Sequence, residues 1–170
     1  MKTILLYAII TMYVTQLLSC ANTTGTTKDS AAIKLEIKQT MGNLFHYSST
    51  ANLDSTLIYF DSSADFRAMD DGKLYNYNGF MQLGKETMNA IKKQDFKVKT
   101  EEIILLNDSL AHYIVAASDD ITNNDNSVTH LPDYAGSFLL KNINGNWKVI
   151  FMHESVPPAP AADSTQAQKK

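Results

Sequence analysis

The chain has 170 residues with 15 basic and 18 acidic side chains and a net charge of −3. That balance speaks against nucleic acid as a partner, which needs a basic patch to neutralise phosphates. The Lys-rich run Lys85 to Lys99 is broken by Glu86 and Asp95 and reads as a solvated helix face, and the single cysteine, Cys20, leaves no disulfide framework.

In chain order, Met1 and Lys2 precede an apolar run from Thr3 to Leu18, then Ser19 and Cys20. This is the order of an export signal, residues 1–19. The run is about 15 residues, short of the roughly 20 that span a bilayer as a helix, and Thr11, Thr15 and Gln16 interrupt it. The tetrad Leu17, Leu18, Ser19, Cys20 resembles the bacterial lipobox, whose cysteine becomes the first mature residue and carries lipid. An ordinary signal peptide with a chance cysteine is the alternative. Acyl chains stabilise membrane attachment by about 0.8 kcal/mol per buried methylene, so the chains implied at Cys20 anchor the protein unaided. The expected location is the cell envelope, held to a bacterial membrane by lipid. Ala21-Asn22 lacks an acidic sorting signal, which favours the outer membrane facing the periplasm.

Residues 20–30 are polar and without hydrophobic period, a flexible tether, and 157–170, with Pro157, Pro158 and Pro160, a disordered tail. Residues 31–156 remain as one domain. Ile33, Ile37, Met41, Leu44 and Ser48 lie on one helical face, predicting a helix of about five turns from Ser30. Asn52 caps a short second helix with Leu53, Leu57 and Phe60 inward. A strand at Asp65 to Met69, the turn Asp70-Asp71-Gly72 and a strand at Lys73 to Tyr77 follow, then a third helix over Gly79 to Lys93. Strands are predicted at Val98 to Leu106, Ser109 to Ser118, Pro132 to Asn142 and Asn146 to Ser155. Asn144-Gly145 marks a tight hairpin, and Asp119 to Ser127 a polar loop or a frayed strand connection. That loop has the oxygen content of a calcium site but lacks the Gly and terminal Glu of the EF-hand pattern. The class is α+β, three helices on a curved antiparallel sheet with a cavity between.

Four stretches, in order, resemble the SnoaL-like branch of the nuclear transport factor 2-like superfamily: Ala51 to Phe60, Ala64 to Gly72, Gly79 to Met88 and Gly145 to Ser155. The last is the most specific, Gly-Asn-Trp-Lys-Val-Ile-Phe-Met-His-Glu-Ser beside a family pattern Gly-x-Trp-Lys-Ile-Val-x-x-His-x-Ser. The resemblance covers about residues 31–155. It implies a cone with an internal pocket, homodimers through the sheet, and functions ranging from dehydration and isomerisation to plain binding. Ketosteroid isomerases of this family carry a base aspartate and a tyrosine donor at positions that here are Ala68 and Leu44, and neither residue can do that work.

Strand alternation puts Trp147, Val149, Phe151, His153 and Ser155 on one face and Lys148, Ile150, Met152 and Glu154 on the other. One face lines the cavity, and the resemblance favours the first. His153 is then the candidate catalytic residue, able to exchange a proton near neutral pH, or else a structural histidine bonded to a neighbouring strand. Arg67, Tyr59, Tyr134, Trp147 and Phe151 are the candidate pocket-lining residues. Arg67 either clamps a carboxylate or points outward beside Asp65. His46, His112 and His130 show no one-turn metal spacing, so neither metal nor cofactor is expected.

Two functions follow: a lipid-anchored envelope protein binding a small, partly apolar molecule or a partner protein without catalysis, or a dehydratase, isomerase or hydrolase acting in the same pocket. The anchor is testable by itself. Cys20→Ser is expected to shift the protein out of the lipidated, membrane-held form, read by fractionation and intact mass; unaltered processing and membrane recovery would refute it.

Overall fold

A computed structural model describes residues 29–156. The expected signal segment 1–19, residues 20–28 of the expected tether 20–30, and the expected tail 157–170 lie outside the described residues. Helix α1, Ser30–Ser49, starts where the Asp29 carboxylate accepts the Ala31 N–H at 3.1 Å, so Asp29 and Ser30 are part of the domain rather than of the tether. Its buried residues are Ile33, Ile37, Met41 and Leu44, the predicted face. Asn52 caps the short α2, Leu53–Leu57, through the Ser55 N–H at 3.1 Å. Thr56 is the buried residue of this turn, its hydroxyl donating to the Asn52 carbonyl at 2.8 Å.

Strand β1, Arg67–Asp70, and β2, Lys73–Tyr75, form a hairpin around Asp71 and Gly72, both at positive φ (45° and 80°). Two left-handed residues match the twist of the flanking strands. Asn76 then caps α3, Tyr77–Ala90, through the Gly79 N–H at 2.9 Å, two residues before the predicted start. The helix stops three residues short of Lys93. Ile91 turns extended and opens β3, Ile91–Asn107, because Lys93 to Phe96 pair with Thr122 to Asp119 of β4, Leu110–Asn123. Cross-strand pairing overrides a local sequence that tolerates either state. The predicted loop at Asp119 to Ser127 is accordingly only a short turn, since β5 resumes at Val128 and runs to Ile143. Strand β6, Asn146–Ser155, follows the turn Asn144-Gly145, again with both φ positive.

The six strands form one curved sheet in the order β2-β1-β6-β5-β4-β3, giving an α+β fold. It is mixed rather than wholly antiparallel, because β1 returns from α2 to lie parallel to β6. Helix α1 crosses the concave face over Tyr113, Val115, Phe138, Leu140 and Val149. Two polar links tie it down: Trp147 Nε1 donates to Glu36 at 3.2 Å, and Glu101 receives both Lys38 and, at 2.8 Å, the Tyr113 hydroxyl.

Bulges bend the sheet. On β5 the extra residue falls at Pro132-Asp133, opposite the step from Ala117 to Asp119; proline has no N–H for the ladder, so a bulge is where a strand accepts it. On β6 the extra residue is Ile150, between the pairs Leu140–Val149 and Leu139–Phe151.

Candidate functional site

The Ile150 bulge decides what faces the concave side. Trp147 and Val149 point into the core, and past the extra residue the inward set becomes Met152 and Glu154, while His153 is exposed. A one-residue slip exchanges the two faces of a strand. The expectation that Phe151 and His153 line the cavity is corrected on this ground.

Between α1, α3 and the sheet lies a cavity of about 260 Å³. Its walls are largely apolar, with Phe45, Phe60, Phe80, Phe96, Phe138 and Met152 among them. Phe45 and Phe96 stack with centroids 4.6 Å apart, and Tyr134 meets Phe96 edge to face at 5.1 Å. Into these walls four strands insert ionisable groups: Asp70 from β1, Asp119 from β4, Tyr134 from β5 and Glu154 from β6.

Each is placed by backbone geometry. Asp119 continues the inward alternation Ala111, Tyr113, Val115, Ala117 and is 4% exposed. Its Oδ1 is buried without a hydrogen-bond partner. Asp70 stands two residues beyond the buried Ala68 on β1 and is the direct cross-strand partner of Glu154. Tyr134 lies across Gly136, where a Cβ would sit 2.7 Å from Phe138 and 2.9 Å from the Tyr134 hydroxyl. The missing side chain at Gly136, which pairs with Glu154, lets the phenol reach over and donate to the Glu154 carboxylate.

Burial and like charge act together here. Burial pushes Asp70 and Asp119 above the usual carboxylate range, with Asp71 adding to the first and Asp120 to the second. Glu154 is pushed up to about 7, by burial first, against the lowering bond from Tyr134 and with added repulsion from Asp70 and Asp71. Tyr134 is raised by burial and by Glu154. A carboxyl near neutrality beside a phenol donor is able to give or take a proton at physiological pH.

Of the predicted site residues, Tyr134 lines this cavity. Trp147 is buried under α1, and with Tyr59 it borders a separate outer groove. Arg67 is exposed on the convex side, donating to the Ala64 and Phe66 carbonyls at 2.7 Å, and shares a shallow hollow there with Phe151. Asp70, Asp119 and Glu154 were missed. The predicted strand Ser109 to Ser118 stops one residue short of Asp119, and nothing local announces the bulge that turns Glu154 in. Among the described residues no group of three His, Cys, Asp or Glu side chains is arranged to hold a metal ion.

No family model matches the sequence, and no curated protein matches it. Solved structures do match in shape. A nuclear transport factor 2-like superfamily protein from Salmonella enterica superposes with a TM-score of 0.68 at 14% identity, covering 79% of this chain and 98% of that one. A ketosteroid isomerase-like protein from Erwinia carotovora gives 0.61 at 16%, over 73% and 95%. The association domain of C. elegans CaMKII gives 0.61 at 12%, over 74% and 96%. The chain therefore has the nuclear transport factor 2-like fold.

Glu154 also makes stability depend on pH. Its proton is held more tightly in the folded chain than in the unfolded one, so the stability Glu154 contributes is fully present below the ordinary value of 4.5 and is lost as pH rises through about 7. Glu154→Gln keeps an acceptor for Tyr134 and removes this charge. Between pH 5 and pH 8 the variant should lose less stability than the parent, by up to about 3 kcal/mol, in urea titrations; equal losses would show that Glu154 ionises without penalty.

Proposed function

We propose that the chain is a lipid-anchored envelope protein whose cavity binds a small, partly apolar molecule. The observation that carries the binding reading is the cavity itself: mainly apolar walls with polar groups from the strands and from α1, α2 and α3 set into them, the usual make-up of a small-molecule site. The anchor rests on Cys20 and the lipobox resemblance; among the described residues no helix is long and apolar enough to cross a membrane. Pairing of two copies through the convex face of the sheet is supported by the resemblance and by the association domain among its structural neighbours. The neutral dye N-phenyl-1-naphthylamine should brighten on binding the lipid-free chain from Ala21 to Lys170, which omits the lipidated Cys20. Leu83→Trp, which adds an indole to the cavity wall, should weaken binding by about tenfold with unchanged melting. Absence of binding, or binding that ignores this wall, would refute the reading.

A second reading, proton-transfer catalysis in the same cavity, is favoured by one observation, the Glu154 carboxyl pushed up to about 7. The reactive group in this reading is Glu154, with Tyr134 as its hydrogen-bond donor. Its probe is 5-nitrobenzisoxazole, from which a base takes the C3 proton as the N–O bond breaks to release a phenolate. The rate should climb with pH through about 7 and fall by about tenfold or more in Glu154→Gln. A rate no faster than buffer would remove this reading.

A further inference from the structure

We propose that the cavity selects a protonated amine: a small apolar body carrying one ammonium group, which Asp70, Asp119 and Glu154 receive. This rests on the reading that the cavity is a small-molecule site, and it names the class of that molecule.

The first argument is the charge inventory. Three carboxyl groups line the cavity, and among the described residues no Lys, Arg or His lines it with them. A carboxylate or phosphate ligand would find like charge and no cation. The second argument is independent of the acidic count. Asp119 is 4% exposed and its Oδ1 has no hydrogen-bond partner, although it occupies a position that the strand otherwise fills with apolar residues. A buried acceptor without a donor is destabilising, and an ammonium brings three donors and no acceptor. The third is cross-strand register. Asp70 and Glu154 stand directly opposite each other on the same face, an arrangement that repels when both are ionised and attracts a cation placed between them. The aromatic walls fit the same ligand, because ring faces such as those of Phe45, Phe96 and Tyr134 favour a cation as well as an apolar body. A bare metal ion fits less well, since these carboxyls do not form a metal-binding group.

The titratable groups facing Glu154 and its neighbours are few. Tyr134 comes from β5, Asp70 from β1 with Asp71 in the following turn, and Asp119 from β4, beside Asp120 and with Asp95 of β3 close by. Lys73 of β2 acts on Asp70 without lining the cavity. The helices α1, α2 and α3 contribute no titratable group to the lining. An amine should therefore bind better once Glu154 has ionised, with its preference shrinking in acid.

The test compares three probes of one shape by calorimetry on Ala21 to Lys170, which keeps every residue of the core. They are 1-naphthylmethylamine, 1-naphthylmethanol and 1-naphthoate. At pH 8 the amine should bind about tenfold or more tightly than the alcohol and the naphthoate most weakly. The amine's advantage should shrink by roughly threefold or more at pH 5.5, and Asp119→Asn should reduce the amine-to-alcohol affinity ratio by about tenfold. Should Asp119→Asn fail to fold, Glu154→Gln decides by the same criterion. An alcohol that binds as tightly as the amine, or a preference that survives these changes, overturns the proposal and leaves the small-molecule reading standing. If none of the three probes binds, both fall.

Discussion

The arrangement depends on the one extra residue in β6. A strand alternates faces every residue, so β6 could in principle place either Trp147, Val149, Phe151 and His153 inside or the other set. Ile150 lets it do neither along its whole length. Trp147 and Val149 stay under α1, where Trp147 bonds Glu36, and Met152 and Glu154 turn into the cavity. The bulge also bends the strand, and with the bulge at Pro132-Asp133 it supplies curvature that keeps the sheet from closing flat on the helices. Cavity shape and cavity chemistry thus come from the same local irregularity.

The acids and the phenol sit on four different strands but are not loosely held. Backbone ladders fix β1 to β6, β6 to β5 and β5 to β4, so the relative placement of Asp70, Glu154, Tyr134 and Asp119 is set by main-chain pairing rather than by long side chains. Sites built this way lose little freedom when a ligand arrives. Gly136 shows how local that control is. Any side chain there would collide with Phe138 and with the Tyr134 hydroxyl, and the donor to Glu154 would be displaced.

Much of this was legible in the sequence wherever a short-range rule decides. The apolar spacing of α1, the Asn52 cap, and the Asp71-Gly72 and Asn144-Gly145 turns are chemistry of neighbouring residues. The long β3 was not legible, because Ile91 to Phe96 become strand only by pairing with β4. His153 and Glu154 exchanged roles for a similar reason: Ile150 and Phe151 are both good strand formers, and neither marks the site of a bulge. Pro132 reads in the sequence as the first residue of its strand, and it comes to lie inside β5, at a bulge, only because the strand begins at Val128. Asp119 was hidden by its company. Asp119 to Ser127 reads as a polar loop until β4 is known to run to Asn123.

The shared shape does not carry a shared chemistry, since one fold accommodates a ketosteroid isomerase-like protein and a kinase association domain. On this chain's sheet the carboxyls that face the cavity are Asp70, Asp119 and Glu154. At Ala68, where the resemblance would place a base aspartate, there is only a methyl group, and the β1 carboxyl comes two residues later, opposite Glu154. On this sheet Asp70 and Glu154 are therefore paired across neighbouring strands. Buried acids that repel one another lower stability as they ionise, and nothing in the fold requires them there, since the adjoining inward positions are occupied by Ala68, Ala117 and Met152. Their presence against that cost sets this cavity apart from a simple packing defect, which apolar side chains at the same positions would line without it.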